Sequence, residues 1–456
     1  MKALTHKKSS VDLLHGPVLK SMIIFAIPLF FSSVFQQLYN TMDTVIIGHT
    51  LGDEALAAMG AAGAVYDLLM GFALGVGNGL AVVTARSFGY GDREYLKKSV
   101  ASAIGIGACI TAVITVFVRF ILYPFLAVLN TPAEIIDQAY DYVSTITLFI
   151  VVMFAYNLCS GLLRAIGNSV MPLVFLILSS ILNIVLDLLF ITRLHMGVRG
   201  AAAATVIAQG VSVVCCLIYI GKKAKMLIPE RKHFVWDKKL YCEMLAQGLS
   251  MGFTSCIVTS GTAILQSGIN NLGYLVIAGH TAARKLFQFL LMPNIAMNQT
   301  VSTFVSQNYG AGQVERIRKS MKCAYLYGVV TTFIASVLMF LFAPMAVRLI
   351  SGSSERVVIE NGALYLRVVA PSLAILGLLN PTRQGLQAIG QKILPIFSSV
   401  IELLGKILFV AVLIPRFQYM AVIFCEPVIW CFMIAELLPA FWRNPFITKF
   451  SQKFHG

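Results

Sequence analysis

Four polar side chains recur along one predicted membrane helix near the start of the chain. Gln36, Tyr39, Asn40 and Asp43 occupy positions i, i+3, i+4 and i+7, so they share one helix face. The surrounding run, about residues 19–47, is apolar, and an aspartate at the centre of such a helix costs roughly 2.5 to 3.5 kcal/mol. This cost predicts that the charge of Asp43 is compensated or used, and a hydrated pocket could hold this polar face. The alternative is an outer helix end that simply faces water.

A second carboxylate occurs at a comparable predicted depth. Asn183 and Asp187 are four residues apart on the predicted fifth span, in its outer half. If Asp43 and Asp187 face one cavity, they titrate as a coupled pair, which suits proton exchange near neutral pH. The oxygens of Asp43, Asn183 and Asp187 suit a Na⁺ ion equally well on chemical grounds.

The remaining predicted site residues lie in other spans and in a predicted hinge. A substrate cavity is predicted to include, besides Gln36, Tyr39 and Asn40, the side chains of Asp67, Asn157, Thr205, Arg284 and Gln288. A purely structural role, in hydrogen bonding or helix packing, is at least as well supported for Asp67 and Thr205. Pro28, fifteen residues before Asp43, removes a backbone hydrogen bond and is the predicted hinge.

The elements that carry these residues must be membrane helices. The 456-residue chain is 58% hydrophobic and only 12% charged, whereas about a quarter of the residues in soluble domains are charged. Several apolar runs reach the length of about 20 residues that a helix needs to cross a bilayer. The sequence therefore predicts an all-α integral membrane protein.

Counting the apolar runs between polar breaks predicts twelve spans. They are 19–47, 55–84, 99–122, 138–159, 171–192, 200–220, 241–269, 274–305, 322–348, 360–381, 393–414 and 418–441. With the first segment inside, the inner segments hold 25 of the 35 Lys and Arg residues and the outer segments hold 7. The positive-inside rule then predicts that both termini are cytoplasmic. The net charge of +15 reflects this topology, and no nucleic-acid partner is expected.

Two stretches of sequence occur twice. FGYGDREYLKKS (88–99) matches YGAGQVERIRKS (309–320) at an offset of 221, and RAIGNSVMP (164–172) matches QAIGQKILP (387–395). The predicted domains are an N-terminal six-helix lobe (1–221), a cytoplasmic basic linker (222–239) and a C-terminal six-helix lobe (240–456). Because each half has an even number of spans, the repeat is parallel, with a pseudo-two-fold axis along the membrane normal.

Catalytic and nucleotide-binding motifs do not account for the sequence. GVGNG (75–79) lies inside a predicted span and follows no strand, and no Walker motif is present. The seven histidines are scattered without metal-ligand spacing within a span. The protein is therefore expected to be no enzyme and to use no cofactor, and its energy source is expected to be an ion gradient.

The order of these motifs resembles the MATE (multidrug and toxic compound extrusion) family over nearly the whole chain. The resemblance rests on Pro28 and Asp43 in the first helix, GYGD and QNYGAG after the second and eighth spans, and the paired RAIGN and QAIGQ turns. NIVLD in the fifth span is similar to the DinF-like prokaryotic branch. The resemblance implies a V-shaped fold of two lobes and export of amphipathic or cationic drugs against protons or Na⁺. It also implies that Asp43 is the coupling site and that its helix bends when its charge changes.

A transporter of this kind is expected in the bacterial inner membrane, as a monomer whose partners are amphipathic small molecules and the lipid bilayer. One alternative comes from the same superfamily, a flippase or exporter of lipid-linked saccharides. A flippase would favour a cationic cavity for pyrophosphate, and only Arg284 and Lys285 point that way. Substrate and coupling ion are left open by the sequence.

Overall fold

The computed structural model describes residues 10–128 and 133–448. Within that range the side chains of residues 44, 52–58, 61–62, 64, 125, 127–128 and 133–134 are not described. The two chain ends, whose cytoplasmic location is predicted, lie largely outside the described residues. The parts of the chain that are described contain helices, turns and loops but no strand.

Thirteen α-helices follow one another in the described chain. They are α1 (Val18–Gly89), α2 (Arg93–Val128), α3 (Ala133–Leu148), α4 (Ile150–Ala165), α5 (Val170–Asp187), α6 (Gly197–Lys223), α7 (Lys238–Asn270), α8 (Tyr274–Gly310), α9 (Val314–Ser351), α10 (Arg356–Ala388), α11 (Ile393–Leu408), α12 (Ile414–Trp442) and α13 (Pro445–Thr448). Two short 3₁₀ turns, Lys225–Leu227 and Arg231–His233, lie between α6 and α7.

The helices confirm the predicted all-α membrane architecture. Nine described helical segments are long and apolar enough to span a bilayer, and α3 and α4 form one further span bent by 51°. One of the nine, Ile393–Trp442, is 50 residues long and holds two crossings, with a non-helical backbone at Gln418. The 37-residue α8 is long enough but more polar. Together these segments account for the twelve predicted crossings.

The first compact unit consists of residues 1–12 and 31–255. Its helices approach closely at glycines, and a Cβ on Gly79 of α1 would lie 2.6 Å from the Cα of Gly248 of α7. The basic segment before α7 packs on the start of α2 in the same unit. There Lys97 donates to Glu230 at 2.5 Å, and Nε2 of His233 lies 2.9 Å from Oε2 of Glu94.

The second compact unit consists of residues 13–30 and 256–456. The Leu13 carbonyl ties the start of the chain to it, accepting hydrogen bonds from Asn308 (3.1 Å) and Arg316 (2.8 Å). A Cβ on Gly328 of α9 would lie 2.7 Å from the Cα of Gly377 of α10, which is the close approach that small residues permit in membrane bundles. These units describe packing, so the domain boundaries taken from the internal repeat stay predictions.

Two helices end in a wider turn. α5 continues directly into a π-helical segment, Leu188–Arg193, and α11 continues into another, Phe409–Leu413. A π-helical turn inserts an extra residue into an α-helix and is frequent next to functional sites. Both turns directly follow the helices that carry the buried charged side chains described below.

Candidate functional site

Two buried aspartates meet inside the first unit. Asp43 lies on α1 and Asp187 is the last residue of α5, and their relative exposures are only 9% and 1%. Their carboxyl groups are within hydrogen-bonding reach of one another. Asp43 and Asp187, which were predicted to lie at comparable depths in the membrane, are therefore neighbours in the structure.

Thr205 of α6 connects the two helices that carry this pair. Its hydroxyl oxygen accepts a hydrogen bond from the Tyr39 hydroxyl of α1 at 3.2 Å and from the Asn183 amide of α5 at 3.4 Å. The segment before Thr205 is rich in glycine and alanine and is mostly buried, so α5 can approach α6 closely. Thr205 thus makes polar contacts in addition to packing.

Several oxygens around the aspartates lack a well-formed hydrogen bond from the described protein donors. They are Oδ1 of Asp43, Oδ1 of Asn183 and both carboxylate oxygens of Asp187. A buried polar group without a partner is destabilising, and native proteins normally satisfy it with protein, water or an ion. These oxygens are therefore candidates to bind a proton, a water molecule or an ion.

The arrangement limits what that ligand can be. Two neighbouring carboxylates cannot both stay ionised in a buried site without a compensating positive charge, because like charges disfavour each other. A proton shared between Asp43 and Asp187 supplies that charge. A monovalent cation held by the same oxygens and by Oδ1 of Asn183 supplies it as well.

Sequence reasoning missed two tyrosines beside the pocket. The rings of Tyr66 on α1 and Tyr142 on α3 lie 6.1 Å apart, and both residues are in electrostatic reach of Asp43. With Tyr39 they form an aromatic wall beside the aspartates. Tyrosine is too common in membrane helices to be a signal by itself, and only the proximity of Tyr66 to Asp67 in the sequence pointed towards this region.

Other predicted cavity residues in the first unit do not join the aspartate pocket. Gln36 and Asn40 are exposed on α1, where the Gln36 amide donates to Asn40 at 3.3 Å. Asp67 is exposed as well, and the Asn157 amide donates to the Met153 carbonyl of its own helix at 2.8 Å. The predicted polar face of α1 therefore separates into a buried half and an exposed half.

The second unit has a different polar centre around Arg284 of α8. Its guanidinium donates to Glu426 of α12 at 2.8 Å and to the Tyr365 hydroxyl of α10 at 3.2 Å. One turn away, His280 lies 3.3 Å from the Tyr419 hydroxyl. Nothing in the sequence pointed to the contact between Arg284 and Glu426, which are 142 positions apart. Gln288 is exposed on the same helix.

Glu402 and Lys406 of α11 form a buried ion pair with an N–O distance of 2.9 Å. Arg383 of α10 lies further away, 3.9 Å from the same carboxylate group. The hinge candidate, Pro28, lies inside α1, whose helical backbone continues to the aspartate pocket. The Pro28 segment packs in the second unit, while Asp43 belongs to the first.

Comparison with known proteins gives one family. The family described as MatE matches residues 28–189 and again 251–412. "Probable multidrug resistance protein YpnP" of Bacillus subtilis (strain 168) is 26% identical over 359 residues, which is 79% of this chain and 80% of that protein. "Multidrug export protein MepA" of Staphylococcus aureus (strain N315) is 23% identical over 431 residues, covering 93% and 92%. A solved structure, "Crystal structure of MATE in complex with MaL6", matches in fold with a TM-score of 0.87 at 21% identity, over 98% of this chain and 100% of that one.

Proposed function

The chain belongs to the MatE family, and from that premise we propose that it is an efflux antiporter which exports amphipathic, cationic small molecules in exchange for protons. It is a multi-pass membrane protein, not an enzyme. Relatives named as multidrug resistance and multidrug export proteins support efflux of drugs. The observation that carries the proposal is the buried Asp43–Asp187 pair with its unsatisfied oxygens.

In the proposed exchange, the Asp43–Asp187 pair binds and releases one proton in each transport cycle. When a proton binds, it sits on a carboxylate oxygen of Asp43 or Asp187 and is shared with the other carboxyl group. When it leaves to water on the cytoplasmic side, the pair regains a negative charge that attracts a cationic substrate. Because the pocket holds either a proton or the cationic substrate, binding of one is coupled to release of the other. Na⁺ is the alternative coupling ion, bound by Asp43, Asn183 and Asp187.

Pro28 is the proposed hinge for this cycle. Proline lacks the backbone N–H that would close its helical turn, so α1 can bend there at low cost when neighbouring groups satisfy the freed carbonyl. Asp43 lies on the same helix, fifteen residues later. A change in the charge of Asp43 alters its attraction to the pocket on α5 and α6, and bending at Pro28 is the proposed response. Alternating access to the two sides of the membrane follows from that movement.

The exposed polar residues are proposed to contact the substrate. Gln36 and Asn40 on α1, together with Asp67, offer hydrogen-bond acceptors and one carboxylate, which suit a cationic amphipathic molecule. Asn157 is proposed to line the same route, and the exposed Gln288 of the second unit is proposed to contact substrate as well. The flippase alternative needs an unpaired cationic cavity for pyrophosphate. Arg284 is instead neutralised by Glu426 at 2.8 Å, so drug efflux is the better supported function.

The location and partners follow from the same reasoning. We place the protein in the bacterial inner membrane with both termini in the cytoplasm, because the basic residues concentrate in the segments predicted to be inside. It is proposed to act as a monomer in the lipid bilayer. It needs no cofactor beyond the coupling ion.

Transport in reconstituted vesicles tests the proposal. Purified protein in proteoliposomes is given either a pH gradient or a Na⁺ gradient alone, and the movement of ethidium, a cationic fluorescent probe, is recorded. We expect the pH gradient to drive ethidium uphill and the Glu355→Gln variant, changed at an exposed carboxylate outside the proposed site, to retain most of that activity. Transport driven only by Na⁺ would overturn the assignment of the proton. No transport of ethidium or of a panel of other amphipathic cations under either gradient would overturn the efflux function.

A further inference from the structure

The ammonium group of Lys406 lies among oxygen atoms in the interior of the second unit. Its side chain is only 2% exposed. Its Nζ is 2.9 Å from Oε1 of Glu402, 3.4 Å from the Thr262 hydroxyl and 3.9 Å from Oε1 of Glu426. An ammonium group has three N–H donors and no acceptor. Two carboxylates and a hydroxyl around one positive centre are the kind of oxygen set that a monovalent cation takes.

The backbone opposite Lys406 makes room for its side chain. A Cβ on Gly261 of α7 would lie 3.1 Å from Cδ of Lys406, which is tighter than ordinary van der Waals contact. Glycine at this position therefore lets the lysine stem pass from α11 to the carboxylates. The neighbouring Thr262 supplies one of the three oxygens.

The charges around Lys406 alternate in sign and balance. Glu426 pairs with Arg284 at 2.8 Å, and Glu402 is 3.9 Å from Arg383, which is itself in electrostatic reach of Glu436. The positive members of this set are Arg284, Lys406 and Arg383, and the negative members are Glu426, Glu402 and Glu436. Without the ammonium group the set would carry one uncompensated negative charge in a buried site, which is strongly unfavourable.

We propose that the ammonium group of Lys406 is a tethered monovalent cation that permanently fills a cation site formed by Glu402, Glu426 and Thr262. An ion held by the chain cannot be exchanged across the membrane. This site of the second unit is therefore fixed in charge during the cycle and takes no part in ion exchange. This last step rests on the proposed antiport function, whereas the occupancy of the site by Lys406 does not.

Chemical rescue of Lys406→Ala tests the occupancy. n-Propylammonium replaces the atoms that this substitution removes, and 1-propanol has a similar shape without the charge. We expect n-propylammonium to raise the melting temperature of Lys406→Ala in detergent by about 2 °C or more, and 1-propanol to have no such effect. The matched control, Lys285→Ala on an exposed lysine of α8, should show no rescue. Equal responses of the two variants to n-propylammonium would overturn the proposal.

A double variant decides between a fixed cation and a mobile proton carrier. Glu402→Gln with Lys406→Met removes one charge of each sign, so the remaining buried charges still balance and the protein should accumulate even if Lys406→Ala does not. We expect it to retain pH-driven ethidium efflux and to show no stabilisation by n-propylammonium. Loss of efflux at normal expression would show that Lys406 or Glu402 takes part in proton movement, and would overturn the proposal. If the wild type itself exports nothing, the rescue experiment still decides the occupancy of the site.

A less drastic variant moves the lysine without removing its charge. Gly261→Ala should press on the Lys406 stem and lower the melting temperature, and Gly221→Ala is the matched control because a Cβ there meets nothing within 4 Å. Adding Lys406→Ala should remove most of the effect of Gly261→Ala, since the clash partner is then gone. Additive effects of the two substitutions would mean that Gly261 serves another contact.

Discussion

The carboxyl group of Asp187, the last residue of α5 before its π-helical turn, meets that of Asp43 on α1 inside the first unit. This meeting joins two helices that lie far apart in the sequence through a pair of acidic groups. Thr205 on α6 holds the flanking Tyr39 and Asn183 in place.

Replacing either aspartate by asparagine should abolish uphill transport without unfolding the protein. Asparagine keeps the size and most of the hydrogen-bonding capacity of aspartate but cannot bind or release a proton near neutral pH. We expect Asp43→Asn to reduce pH-driven ethidium efflux to the level of empty vesicles and Asp187→Asn to weaken it strongly. The double variant should be little worse than the worse single one, because the pair titrates as a unit. Full activity of Asp43→Asn at normal expression across several pH values would show that Asp43 takes no part in ion coupling.

Thr205→Val should disturb the pocket through two lost hydrogen bonds. Valine has nearly the same shape but no hydroxyl, so Tyr39 and Asn183 each lose their contact, at a cost of about 1 kcal/mol per bond. We expect a lower melting temperature and a slower efflux rate. Thr331→Val on α9 is the control, because the Thr331 hydroxyl only donates to carbonyls of its own helix. If both variants behave alike, Thr205 is a packing residue.

Arg284→Ala should change substrate range or transport rate while leaving a folded protein. The substitution leaves Glu426 buried beside Lys406, 3.9 Å away, so the remaining charge keeps a partner. Breaking a buried pair on one side usually costs roughly 3 to 5 kcal/mol, and partial exposure of Arg284 should make the effect smaller. Resistance profiles of cells expressing the variant, with expression measured in parallel, provide the readout. Unchanged efflux of every tested substrate would make Arg284 a structural residue.

Labelling of single cysteines tests the predicted orientation. In a cysteine-free background, Trp236→Cys lies in the basic segment 222–239 and Ser354→Cys lies in the loop between α9 and α10, and both positions are exposed. An impermeant maleimide added to intact cells should label Ser354→Cys and leave Trp236→Cys unlabelled until the membrane is permeabilised. The reverse pattern would overturn the positive-inside assignment.

Much of the fold could be predicted from the sequence because membrane helices are specified locally. Length and hydropathy gave the spans, and motif order gave the family, which the match to residues 28–189 and 251–412 confirms. α3 and α4 together form one bent span, and the hydropathy of the sequence did not predict this bend. Helical spacing also grouped Gln36 and Asn40 with Asp43, although the structure leaves the first two exposed. One face of a helix, about 100° wide, can be buried at some positions and exposed at others. The sequence does not show which residues of the face are buried.

Contacts between distant helices were the part that could not be predicted. Arg284 was predicted to line the substrate cavity, and only the packing of α8 against α12 brings it to Glu426. The Glu402–Lys406 pair, by contrast, can be recognised in the sequence, because its members are one helical turn apart. Glu426 lies on α12 and Thr262 lies on α7. Their approach to the Lys406 ammonium group depends on how these helices pack against α11, so it cannot be predicted from a local sequence pattern.

The positions of the two π-helical turns support an origin of the chain by gene duplication. Phe409, where the second turn begins, follows Leu188, where the first begins, by 221 residues, the same offset that relates the repeated GYGD-type segments. An irregularity found at matching places in both halves is most simply explained by an ancestor that already carried it before its gene was doubled. The side chains before the two turns have since become different, with Asp187 in one half and Lys406 in the other. Divergence after duplication therefore changed the chemistry and kept the backbone.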